Sequence, residues 1–168
     1  MTEPSLEFLC VCIVEALLAH YGVTRLPVPV RAMLQVPPPD LARDLSLTET
    51  AGTHGGDALW LRTMGSQGSV FVNTSLPEAA QRYGMARALF TALCATEGGQ
   101  AVGLPPVPNN HLRFQGDLFA RRLLLPRRLL PAGWECLPPE SLAELCGVPV
   151  RVAQAEQHEH GRRNTLAV

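Results

Sequence analysis

Leu76, Ala79, Ala80, Tyr83, Ala86, Phe90, Leu93 and Cys94 recur at the spacing of one helical face and predict a long helix from Ser75 to Gly99. Ser75 and Glu78 stand at capping-box spacing, and Pro77 falls in the first turn, where a missing N–H costs nothing. Gly98-Gly99 is the expected stop, because glycine takes the left-handed C-terminal conformation cheaply. Gly84 interrupts the pattern and marks either a bend or a close packing contact.

The same spacing predicts a first helix over Leu6 to Tyr21, with Leu6, Leu9, Cys10, Ile13, Leu17 and Tyr21 on its buried face and Gly22 as its stop. A short helix follows from Val30 to Val36 and ends at Pro37-Pro38-Pro39. Leu41 to Leu47 fits a short strand or a turn, and Thr50 to Gly56 reads as a loop. Alternation of apolar and polar residues gives two strands, Ala58 to Met64 and Ser69 to Thr74, joined as a hairpin, with Trp60, Val70 and Val72 inward. Another helix runs from His111 to Leu125 and stops at Pro126. Pro131 to Pro139 reads as a linker. Two helices around Cys146-Gly147-Val148-Pro149 then resemble the first two helices of a helix-turn-helix, with Gly161 as the stop. The expected class is α+β, its hairpin running into the central helix and further helices lying C-terminal.

The chain has 168 residues, enough for one core, and a net charge of −1, so no global field favours nucleic acid. No apolar run reaches the ~20 residues of a membrane span, and the N-terminus has no basic leader before its apolar stretch. The five cysteines show no CxxC spacing and read as reduced thiols of a cytoplasmic protein.

Several segments together resemble the ImmA/IrrE family of bacterial metallo-endopeptidases. Ser69-Val70-Phe71-Val72-Asn73 before Leu76-Pro77 is similar to the family's strand leading into its active helix. Arg82-Tyr83-Gly84-Met85-Ala86 is similar to its R-F-T-x-A lead-in. Phe119 to Pro126, FARRLLLP, is close to its F-A-x-x-L-L-M-P signature, the most specific match. Leu142-Ala143-x-x-Cys146-Gly147-Val148 is similar to its C-terminal L-A-x-x-F-G-V. The resemblance implies a zincin-like scaffold, a peptidase-like domain over 1–137, a helix-turn-helix-like extension of that domain over 138–161, and a tail over 162–168.

The family's chemistry rests on H-E-x-x-H: two histidines one turn apart hold zinc, and the glutamate polarises the zinc-bound water. In register with the lead-in, those positions are Arg87, Ala88 and Thr91. The family's third, acidic ligand falls in Arg113-Phe114-Gln115-Gly116-Asp117, with Gln115 nearest its position and Asp117 the only carboxylate. The resemblance therefore implies a degenerate copy with no metal and no catalytic residue. Arg87, Thr91, His111, Gln115 and Asp117 are expected to line its cleft.

Other chemistry is poorly represented. His158 and His160 diverge on a helix, no GxSxG occurs, and Gly52 to Gly56 is not a phosphate loop. Arg113, Arg121, Arg122, Arg127 and Arg128 form the densest basic feature, either a face of ion pairs or a surface for an acidic partner or nucleic acid. Glu156 and Glu159 on the last helix argue against nucleic acid through phosphate repulsion. The expected function is that of a pseudo-peptidase binding a protein, such as a helix-turn-helix repressor or an active relative, in stress response or repressor control. An active zinc endopeptidase cleaving such a repressor and a DNA-binding regulator are the alternatives.

Overall fold

The computed structural model describes residues 5–52, 56–62, 67–101, 103–104 and 109–166, with backbone alone at 109–112 and 163–166. The elements in order are α1 (Leu6–His20), α2 (Val30–Gln35), β1 (Leu47–Thr50), β2 (Ala58–Leu61), β3 (Ser69–Asn73), α3 (Glu78–Ala95), α4 (Glu97–Ala101), α5 (Asn109–Leu124), α6 (Pro139–Cys146) and α7 (Val150–Leu166). The chain is α+β, as its pattern predicts. No helix among the described residues is long and apolar enough to cross a membrane.

The sheet has the order β1-β3-β2, β3 pairing parallel with β1 and antiparallel with β2. Leu61 pairs with Ser69, so the hairpin loop spans 62–68, longer than the expected four residues; residues 63–66 lie outside the described ones. Val70 and Val72 are fully buried, and Trp60, paired with Val70, is half-buried. The expected Leu41–Leu47 alternatives resolve into a helical turn at Pro39–Leu41, with the strand beginning only at Leu47. Thr50, expected in a loop, is the last residue of that strand.

The central helix departs from a one-faced pattern. From Gln81 to Cys94 nearly every side chain is buried, because the sheet, α2 and α5 pack around it. The ring of Phe90 lies 5.3 Å from that of Phe119, joining α3 to α5. Gly84 is a close packing contact, not a bend: a Cβ there would stand 2.8 Å from Asp57 and 2.9 Å from the Ala58 nitrogen.

Three terminal signals act differently from expectation. The Ser75 hydroxyl donates to Asn73 Oδ1 at 2.6 Å, so no capping box forms, and Pro77 stands at the N-cap. The helix ends at Ala95, not at Gly98-Gly99. Thr96 turns the chain, and both glycines belong to the next helix, α4. Gly161 does not stop α7, which runs on to Leu166, so the expected tail is largely helical. A glycine inside a helix only weakens it, and here nothing compels the break.

At α1 the expected stop holds. Gly22 has φ +57°, with Gly22 N–H to Ala19 O at 3.0 Å and Val23 N–H to Leu18 O at 2.9 Å, a Schellman motif. The face beneath it is Cys10, Val14, Leu17 and Leu18, with Leu6, Leu9, Ile13 and Tyr21 partly buried beside it.

Cys10, Cys94 and Cys146 are buried, whereas Cys12 and Cys136 are exposed. Burial pushes the Cys10 thiol from 9.0 up to about 11, and those of Cys94 and Cys146 to about 12. A disulfide-exchange reagent at pH 8 is therefore expected to label Cys12 and Cys136 in the folded protein and the buried three only after denaturant is added. Since the unfolded thiols ionise first, the buried three stabilise the fold below pH ~9 and lose that contribution as pH rises above it. Rapid native labelling of Cys94 would contradict this.

Candidate functional site

α3 carries Arg82, Tyr83, Arg87, Ala88 and Thr91, and the sheet and α5 close over it from opposite sides. Arg82 is structural. It is buried and donates from Nε to Gly147 O at 2.9 Å and from Nη2 to Val28 O at 2.6 Å, tying α3 to the α6–α7 turn and to the segment before α2.

One turn further on, Arg87 lies between two carboxylates. Its Nη1 is 3.3 Å from Asp57 Oδ2, and its Nε is 3.0 Å from Asp117 Oδ1. Tyr83 completes the group: its hydroxyl donates to Asp117 Oδ1 at 3.0 Å, and its ring centroid lies 6.0 Å from the Arg87 guanidinium carbon. Burial first, and the Asp117 charge second, push the Tyr83 phenol well above its ordinary range, so it remains a donor.

A cleft of about 260 Å³ opens beside this group, lined by Arg87, Ala88 and Thr91 of α3, Arg113 and Gly116 of α5, and Ala58 to Trp60 of β2. Arg87 and Thr91 thus share a cleft with α5. The side chain of His111 lies outside the described residues, as does His54. Gln115, nearest the expected acidic position, does not line the cleft; its Oε1 is buried and accepts no hydrogen bond from any described residue. Asp117 is the α5 side chain brought to Arg87. A larger cavity of about 460 Å³ lies in the 21–29 segment; among the described residues Arg25 is its one charged lining residue, and none of the expected site residues lines it.

Zinc needs lone-pair donors from deprotonated groups. Arg87 offers a cation hydrogen-bonded to Asp57 and ion-paired with Asp117, Ala88 offers nothing, and the Thr91 hydroxyl donates to Arg87 O at 3.3 Å. No group of three or more His, Cys, Asp or Glu with metal-binding geometry occurs among the described residues. The described residues at these positions do not fit the zinc that an H-E-x-x-H motif holds.

The remaining arginines have a different use. Glu156 is fully buried, and its Oε1 accepts from Arg122 at 3.2 Å and from Arg127 at 2.9 and 3.1 Å. Arg121 reaches Glu159 at 2.7 Å, Arg122 reaches Glu159 and Glu7, and Arg128 reaches Glu15 at 3.0 Å. Of the expected arginine cluster only Arg113 makes no ion pair among the described residues. The acids of α7 are therefore turned inward, and its outer face shows Arg151, Gln154, His158 and Arg162. The phosphate repulsion expected from Glu156 and Glu159 has no basis, although Glu140 and Glu144 remain exposed on α6.

Asp57 and Tyr83 are the site residues that sequence reasoning missed. Asp57 sits in a loop with no motif spacing, and Tyr83 looks like a core residue. The only signal for Asp57 is Gly84, which admits that carboxylate against α3. No protein-family model matches the chain, and no curated protein matches it.

Proposed function

We propose that this protein is a non-catalytic relative of the ImmA/IrrE peptidases, a zincin-like scaffold that binds a protein partner in its cleft without cutting it. The observation that carries this reading is the Arg87 guanidinium held between Asp57 and Asp117 where the resemblance would put a metal. A cation fixed there by two carboxylates opposes a second cation, and Ala88, at the position of the family's glutamate, cannot take a proton from water. What remains is an open cleft walled by a strand and two helices, suited to a segment of another chain.

The test is to incubate the protein with zinc or manganese and helix-turn-helix repressors encoded beside its gene. Binding without cleavage is the expected result. Specific cleavage that a chelator abolishes would overturn the proposal. Arg87→His, Ala88→Glu and Thr91→His are expected to take up stoichiometric zinc only in combination, with Asp57 and Asp117 freed from Arg87. The single variants should bind it no better than wild type.

A further inference from the structure

Among the described residues, Arg87 and Arg113 are the charged side chains that line the cleft, and they have the same sign. Arg87 is compensated from behind by Asp57 and Asp117. Arg113, exposed on the first turns of α5, has no carboxylate partner among the described residues. Exposed apolar side chains accompany it: Leu59, which lines the cleft, Leu61 two residues on along the same face of β2, and Phe114, next to Arg113 in the chain, are 41%, 50% and 66% exposed. A lone exposed leucine signifies little, but apolar and aromatic side chains around a guanidinium have the composition of a protein-binding patch.

From this geometry we infer that the cleft takes an aspartate or glutamate side chain carried on an apolar segment of the partner protein, with Arg113 as the residue that recognises it. The inference rests on the partner-binding reading and names the partner's chemistry. About 260 Å³ accommodates one side chain and no folded element. Arg87 is paired with both Asp57 and Asp117, so Arg113 supplies the uncompensated positive charge at the cleft. The apolar rim provides contact for residues flanking the acid, which a small free anion would leave unused. Arg113 can form a charge-assisted, two-pronged contact with a carboxylate, the strong form of such a bond.

The test is panning of random displayed peptides on the full chain, then fluorescence anisotropy of labelled synthetic peptides. Selected peptides should carry Asp or Glu at one fixed position between apolar residues. Arg113→Ala should weaken them about tenfold or more. Arg113→Glu should weaken them further and bind a peptide with lysine in place of the acid, a charge swap that general damage to the fold cannot produce. Circular dichroism should show both variants folded, since Arg113 is exposed. The inference is overturned if no peptide is selected, if the selected peptides lack an acid, or if Arg113→Glu binds acidic peptides as wild type does. Free glutarate competing as well as the peptide would overturn a protein segment as the occupant. Metal-dependent cutting of a bound acidic peptide would instead defeat the non-catalytic reading and leave the acid preference standing.

Discussion

Glu156→Gln is expected to lower stability by about 3–5 kcal/mol, the cost of removing one partner from a buried ion group. Glutamine keeps the shape and one acceptor oxygen, so the loss isolates the charge. Glu156 is fully buried, with Arg122 and Arg127 on Oε1 and Arg121 3.8 Å from Oε2. Without the carboxylate, these guanidinia face one another with Glu159 and Glu7 as the remaining acidic partners among the described residues. For a chain of this length the midpoint of thermal unfolding should fall by about 10 °C. Arg128→Ala is the comparison: its pair with Glu15 is largely exposed, and its loss should cost about 0–1 kcal/mol. Equal effects of the two variants would show that the buried carboxylate has no special weight.

Gly99→Ala should be comparably damaging, for a different reason. Thr96 turns the chain between α3 and α4, its hydroxyl donating to Leu93 O and accepting from the Gly99 N–H, both at 3.3 Å. A Cβ on Gly99 would fall on the Leu93 carbonyl, which is backbone and cannot rotate away. Overpacking ordinarily costs ~1–3 kcal/mol, and a clash with fixed backbone should reach about 3 kcal/mol or more. Gly98→Ala provides the contrast. Its Cβ would meet the end of the Leu41 side chain at 2.8 Å, and that side chain can shift, so a loss near 1 kcal/mol is expected. Urea unfolding of both variants measures the difference.

The helices and the hairpin were legible because their signals are periodic and local. The helix before Pro126 forms with Leu118, Phe119 and Leu123 buried, and Gly22 closes α1 as its position predicts. Strand β1 was obscure because it has four residues, one polar edge, and a parallel partner more than twenty positions away. The helix ends misled for a related reason. Glycine signals a stop only when nothing else fixes the backbone, and Thr96 fixes it before Gly98 is reached. The cleft was legible only through the resemblance, which aligned Arg87 and Thr91. The ion pairs that fill the site join α3 to a loop thirty positions earlier and to α5 thirty positions later, and no local pattern encodes such pairings. The same limit misassigned the acids of α7, whose partners lie on α5 and in the turn that follows it.

The position of Glu156 also orders events during synthesis. Arg121, Arg122 and Arg127 are translated well before it, and chain elongation proceeds at ~5–20 residues per second. For seconds, therefore, a nascent chain holds the guanidinia and the apolar face of α5 without the helix that neutralises and covers them. Glu7, the Arg122 partner already made, is at hand in that interval. The core around α5 thus closes only once α7 has left the ribosome, so this part of the fold is completed by a segment made some thirty residues after the arginines it neutralises.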